Sequence, residues 1–118
     1  MSLKDTTKSL DMGRDVGISR QIQKALSDIE TILALAAKNQ SFTEKNRDTI
    51  KTKLGFIAGA VRVYVDQEKA SLTTAEKADF QLLLNNVKRL ASEVVIATET
   101  RPLIAKVQAL AVEIGDLF

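Results

Sequence analysis

The chain has 118 residues, 45% hydrophobic and 27% charged, with a formal net charge of +2 from 17 basic and 15 acidic side chains. That length fits one domain and is enough to bury a core without disulfides or a structural metal. Histidine and cysteine are both absent, which removes the usual ligands of zinc, haem and iron–sulfur clusters, the Glu-x-x-His pairs of di-iron bundles, histidine phosphotransfer, and Ser–His or Cys–His nucleophiles.

Residues 1–17 are polar, contain Gly13 and Gly17 and show no sustained period. They are expected to form a flexible arm ahead of one domain, 18–118. No apolar run of signal-peptide length lies among them. A cytoplasmic location is therefore the expectation, with a leader already removed from the sequence as the alternative.

The first predicted helix spans about 19–38. Ile18, Ile22, Ala25, Leu26, Ile29, Ile32, Leu33 and Ala36 follow the i, i+3, i+4, i+7 rule of an amphipathic helix. Asn39-Gln40-Ser41 ends it. The second helix, about 43–70, is expected to open on a capping box in Ser41-Phe42-Thr43-Glu44, with Ser41 and Glu44 satisfying each other's amides. Its core line is Ile50, Leu54, Ile57, Val61, Tyr64 and Val65.

The third helix, about 74–98, opens on a second capping box in Thr73-Thr74-Ala75-Glu76 and carries Phe80, Leu83, Leu84, Val87, Leu90, Ala91 and Val94 on one face. The fourth, about 101–117, has Pro102 in its first turn, where the missing amide costs nothing. Leu103, Val107, Leu110, Ile114 and Leu117 then repeat at 4-3-4-3 spacing. The connections are only a few residues long, and such short connections join antiparallel neighbours. The predicted architecture is all-α: an antiparallel up-down-up-down four-helix bundle with a mobile N-terminal arm.

The second helix is richer in apolar residues than one core face needs. Phe56, Ala60 and Val63 form a second stripe, about 120–140° from the core line at about 100° per residue. Two readings stand. A helix with two neighbours needs a wide apolar arc, or the stripe faces a partner or a second copy. Gly55 and Gly59 form a G-x-x-x-G on a third direction. Interior glycines cost about 1 kcal/mol each against alanine; close approach of a neighbouring helix is the expected reason for them, and a groove in which another backbone or a ligand docks, which would make them part of the interface, is the alternative. Leu82 and Ile96, on the back of the third helix, are candidates to border the same interaction surface.

The basic residues Lys45, Arg47, Lys51, Lys53, Lys88 and Arg89 form a candidate anion-binding patch. On the wheel of the second helix Lys45, Arg47, Lys51 and Lys53 scatter, and a nucleic-acid stripe should share one face. A net charge of +2 adds little long-range attraction for a polyanion. The longest near-apolar run, 54–65, is broken by Arg62 and falls short of the roughly 20 residues that cross a bilayer. The helices are too evenly charged for surface insertion. No pair of carboxylates stands out as an acid–base couple, and no phosphate-binding glycine loop is present.

These features lead to an expectation of a non-catalytic protein-interaction module of adaptor, chaperone, immunity or accessory-subunit type. It needs no metal or cofactor and binds a protein partner or itself, as a homodimer for example, through the Phe56 stripe. The alternative is a nucleic-acid-associated accessory protein that uses the basic residues at the start of the second helix.

Overall fold

The computed structural model describes residues 13–118. Four helices account for most of them: α1 (Gly13–Asn39), α2 (Glu44–Glu68), α3 (Thr74–Ile96) and α4 (Arg101–Leu117). No strand occurs among the described residues. The helices pack as a bundle in which α1 and α3 each touch α2 and α4.

The sequence pattern explains the core. Ile22, Leu26, Ile29 and Leu33 of α1, Ile50, Leu54, Ile57 and Val61 of α2, Leu83, Val87 and Val94 of α3, and Val107 and Ile114 of α4 are almost fully withdrawn from water. Members of each set are three, four or seven residues apart, which places them on one face of their helix. Ile18, Ile32, Val65 and Ala91 flank these lines and are partly buried against them.

The helix ends show how the chain turns. The cap of α3 is the expected one: the Glu76 amide donates to Thr73 Oγ at 3.0 Å, and the Thr73 amide donates to Glu76 Oε1 at 2.9 Å. The cap of α2 lies elsewhere. Thr43, not Ser41, is the capping residue, and its hydroxyl accepts from the Asn46 amide at 3.1 Å. Ser41 is already engaged in closing α1. Gln40 adopts a left-handed φ of 51°, the Gln40 amide donates to the Ala37 carbonyl, and the Ser41 amide donates to the Ala36 carbonyl. Those two bonds are the Schellman pattern, which satisfies the last carbonyls of a helix.

Helix α1 begins at Gly13, six residues before its expected start at Ser19. The two glycines weaken a helix without forbidding it, and extending a formed helix costs far less than nucleating one. Residues 13–17, assigned from the sequence to the arm, are therefore helical, and the remainder of the predicted arm lies outside the described residues.

At one end of the bundle three rings from different segments meet. The Tyr64 ring centroid lies 5.5 Å from Phe80 and 4.7 Å from Phe118, and Phe80 and Phe118 are 5.4 Å apart. Tilted and edge-on arrangements of this kind suit the ring quadrupoles. At the other end Arg47 joins α2 to α3. Its guanidinium donates to the Val94 carbonyl at 2.6 Å and the Val95 carbonyl at 3.3 Å. It also lies 4.3 Å above the Phe42 ring.

Candidate protein-interaction surface

Two polar contacts fix the edges of α2. Arg47, bonded to the end of α3, marks the edge facing α3. Lys53, whose ammonium donates to Asp28 at 3.3 Å, marks the edge facing α1. Phe56 lies three residues beyond Lys53, and Val63 lies two turns beyond Phe56. Both therefore sit on the α1 side of α2, rotated outward. They are 50% and 53% exposed, while Ala60 between them is partly buried against the core. The stripe is thus outside the bundle at its two large residues. Ala60 alone serves the wide apolar arc that a helix with two neighbours needs.

Leu35 of α1, seven residues beyond Asp28, is 53% exposed on this same flank. Between Leu35 and Phe56 lies a small ion network. Lys24 donates to Asp28 Oδ1 at 2.7 Å, and Lys53 reaches Oδ2. Hydrogen bonds from Lys24 first, and then from Lys53, hold the Asp28 carboxyl below its ordinary pKa.

Gly55 and Gly59 do not have the role expected of them. A Cβ built on either meets nothing within 4 Å. They lie on the back of α2 because α1 and α3 occupy its two sides. No helix approaches them, and Gly59 borders Val63 while Gly55 turns toward α3.

Leu82 and Ile96 are 54% and 77% exposed, yet they do not border the Phe56 stripe. Leu82 lies four residues before Asn86, whose amide donates to Glu113 of α4 at 3.1 Å. That is the α4 side of α3, across the bundle from the α1 side of α2. The single surface expected from the sequence is therefore two opposite flanks. Which edge of a helix faces which neighbour is a tertiary fact, and a helical wheel carries no such information.

On this second flank α3 and α4 enclose an open groove of about 380 Å³. Leu90, Ala109 and Leu110 supply its apolar lining, with Glu93, Lys106 and Glu113 at its edges. Lys106 pairs with Glu93 across it. No spacing in the sequence announces this groove, because its lining comes half from α3 and half from α4.

The six basic residues do not share a face. Arg47 is committed to the α3 carbonyls and Lys53 to Asp28. Lys45 lies on the α1 side of α2. Lys51 and Lys88 flank the α2/α3 seam, and Arg89 lies on the α4 side of α3, where it donates to Asn86. Among the described residues no three His, Cys, Asp or Glu side chains gather where they could hold a metal ion. No helix there is long and apolar enough to cross a membrane. No family model, no curated protein and no solved structure matches this chain.

Proposed function

We propose that this protein is a non-catalytic interaction module, of adaptor, chaperone, immunity or accessory-subunit type. It binds a protein partner or itself through the α1/α2 flank that carries Phe56. The observation behind this reading is the half-exposure of Phe56 and Val63, two turns apart on one edge of α2. Exposed apolar residues grouped on one edge mark contact surfaces more often than residues scattered singly. The lack of histidine and cysteine supports the non-catalytic part.

The reading includes an antiparallel up-down-up-down order. Connections of four, five and four residues support it. So do paired contacts that run in opposite directions: Arg47 with Val94 and Tyr64 with Phe80 between α2 and α3, and Glu93 with Lys106 and Asn86 with Glu113 between α3 and α4.

The test compares wild type with Phe56→Lys by light scattering and by capture from lysate, with helicity checked by circular dichroism. Loss of association or capture at unchanged helicity supports the reading, and identical behaviour of the two proteins overturns it. Binding to duplex nucleic acid that weakens steeply with salt would favour the accessory-protein alternative instead.

A further inference from the structure

We propose that the partner is an amphipathic helix of another protein, acidic along one edge and apolar along the next, laid along the back of α2. Its acidic edge meets a row of cations on the α2/α3 seam, and its apolar edge covers Phe56 and Val63. This deepens the interaction reading and rests on it, and on the antiparallel order given with it.

The row forms only when the two helices stand side by side. Arg47 marks the edge of α2 that faces α3. Lys51 follows it by one turn, Arg62 by a further three turns and Lys69 by two more. On α3, Asn86 and Glu93 mark the edge that faces α4. Lys88 lies two residues beyond Asn86, on the opposite edge, and Lys77 lies three turns before Lys88. Arg47 meets Val94 and Tyr64 meets Phe80, so steps along α2 are matched by reverse steps along α3. Lys51 therefore stands within about a turn of Lys88, and Arg62 within about a turn of Lys77. All five cations are exposed. Among the described residues only Lys69 of the five has an ion pair, with Asp66 at 4.0 Å.

The charge of the chain is concentrated there. Glu44, Asp48 and Asp66 are the exposed acids beside the row. The rest of the chain has 12 basic and 12 acidic side chains, which cancel, so the row holds the whole excess of +2. Its five cations span about 27 Å, close to one per helical turn of about 5.4 Å. A nucleic-acid duplex is roughly three times denser in charge, at one phosphate per about 1.7 Å. No exposed aromatic side chain stands along the row to stack a base. A helix with one acid per turn has the spacing of the row, and such complementarity fixes register and orientation.

Phe56 and Val63 lie about 140° from this row around the back of α2. Between the two edges are Gly55 and Gly59, where a Cβ meets nothing within 4 Å. The gap is about the width of one helix, 10–12 Å across, and the bare glycines leave room for its backbone. Phe56 and Val63, two turns apart, face one apolar stripe of that same helix.

The probe is a helical peptide of about 20 residues, roughly 30 Å long, with leucine along one stripe and glutamate along the next. A second peptide has glutamine in place of glutamate. Fluorescence anisotropy should show the full chain binding the glutamate peptide about tenfold more tightly than the glutamine peptide at low salt, with the gap closing as salt rises. Lys51→Gln combined with Lys88→Gln should weaken glutamate-peptide binding about fivefold. Lys38→Gln combined with Arg89→Gln, equal in charge but off the row, should leave it unchanged. Phe56→Ser should weaken binding of both peptides, and circular dichroism confirms that every variant folds. Equal binding of the two peptides, or equal loss in the two double variants, overturns the acidic partner, and the interaction reading stands if Phe56→Ser still loses both peptides. Tighter binding of a 20-base-pair duplex than of the glutamate peptide, lost with Lys51 and Lys88, gives the row to nucleic acid and overturns it as well. So does failure of the full chain to bind either peptide, and Phe56-dependent capture of another protein then decides the interaction reading separately.

Discussion

Arg47, in the first turns of α2, donates to the Val94 carbonyl near the end of α3 at 2.6 Å. Helix α3 has no basic residue in its own last turn, and its terminal carbonyls need donors. Arg47 supplies them from a neighbouring helix while stacking on Phe42, the residue just before the α2 cap. Arg47→Ala is expected to cost about 2 kcal/mol, since it removes a charge-assisted hydrogen bond from the partly buried Val94 carbonyl. Arg47→Lys should recover only part of that, because an ammonium lacks the planar fork that bonds and stacks at once. Urea unfolding reads both as a shift of midpoint at constant slope. An Arg47→Ala midpoint equal to wild type would show that the tie adds nothing to stability.

The turn after α1 contains the positive-φ residue Gln40, at 51°. Glycine takes that conformation without the Cβ clash that a glutamine meets. Gln40→Gly should therefore raise stability by about 0.5–1 kcal/mol, seen as a melting temperature a few degrees higher. A lower melting temperature would mean that the added freedom of the unfolded chain outweighs the relieved strain.

Asp28 gives the protein a defined acid response. Its folded pKa lies below the unfolded one, ordinarily about 3.9, because Lys24 and Lys53 bond its charged form. The associated stabilisation is complete above the unfolded value and disappears as pH falls through the folded value. A carboxyl carbon titration followed by NMR should place Asp28 below the ordinary aspartate value. Lys24→Met should return it upward further than Lys53→Met does, as Lys24 is the larger cause. Equal titration of Asp28 in all three proteins would contradict the network.

At Gly55 and Gly59 a methyl group meets open space. Each change to alanine should stabilise the monomer by about 0.5–1 kcal/mol, the ordinary gain at an interior helical glycine. Gly55→Ala should also leave self-association unchanged, because Gly55 turns away from the α1/α2 flank. Destabilisation in thermal melts would restore a close packing role for the pair.

The fold was largely legible because Leu, Ile and Val recur at helical steps through all four segments, and the Thr73–Glu76 box is local in sequence. The α2 cap was misread because the turn out of α1 engages the Ser41 amide, and the pattern at 41–44 shows no trace of that bond. The Phe56 stripe was legible as an apolar surplus. Its partition into exposed Phe56 and Val63 and partly buried Ala60 depends on where α1 sits. Arg47 looked like one member of a basic cluster, and only the position of α3 reveals it as a tie between helices. The α3/α4 groove has no counterpart in either helix read alone.

The cluster of Tyr64, Phe80 and Phe118 also provides an optical reporter. With one tyrosine and no tryptophan in the chain, ultraviolet emission comes essentially from the bundle end where these rings meet. Helical circular dichroism averages over every turn, but Tyr64 emission responds to the departure of Phe118 from the rings of α2 and α3. Comparing the two signals during denaturation separates fraying of that end from collapse of the whole bundle, with no label added and no residue changed.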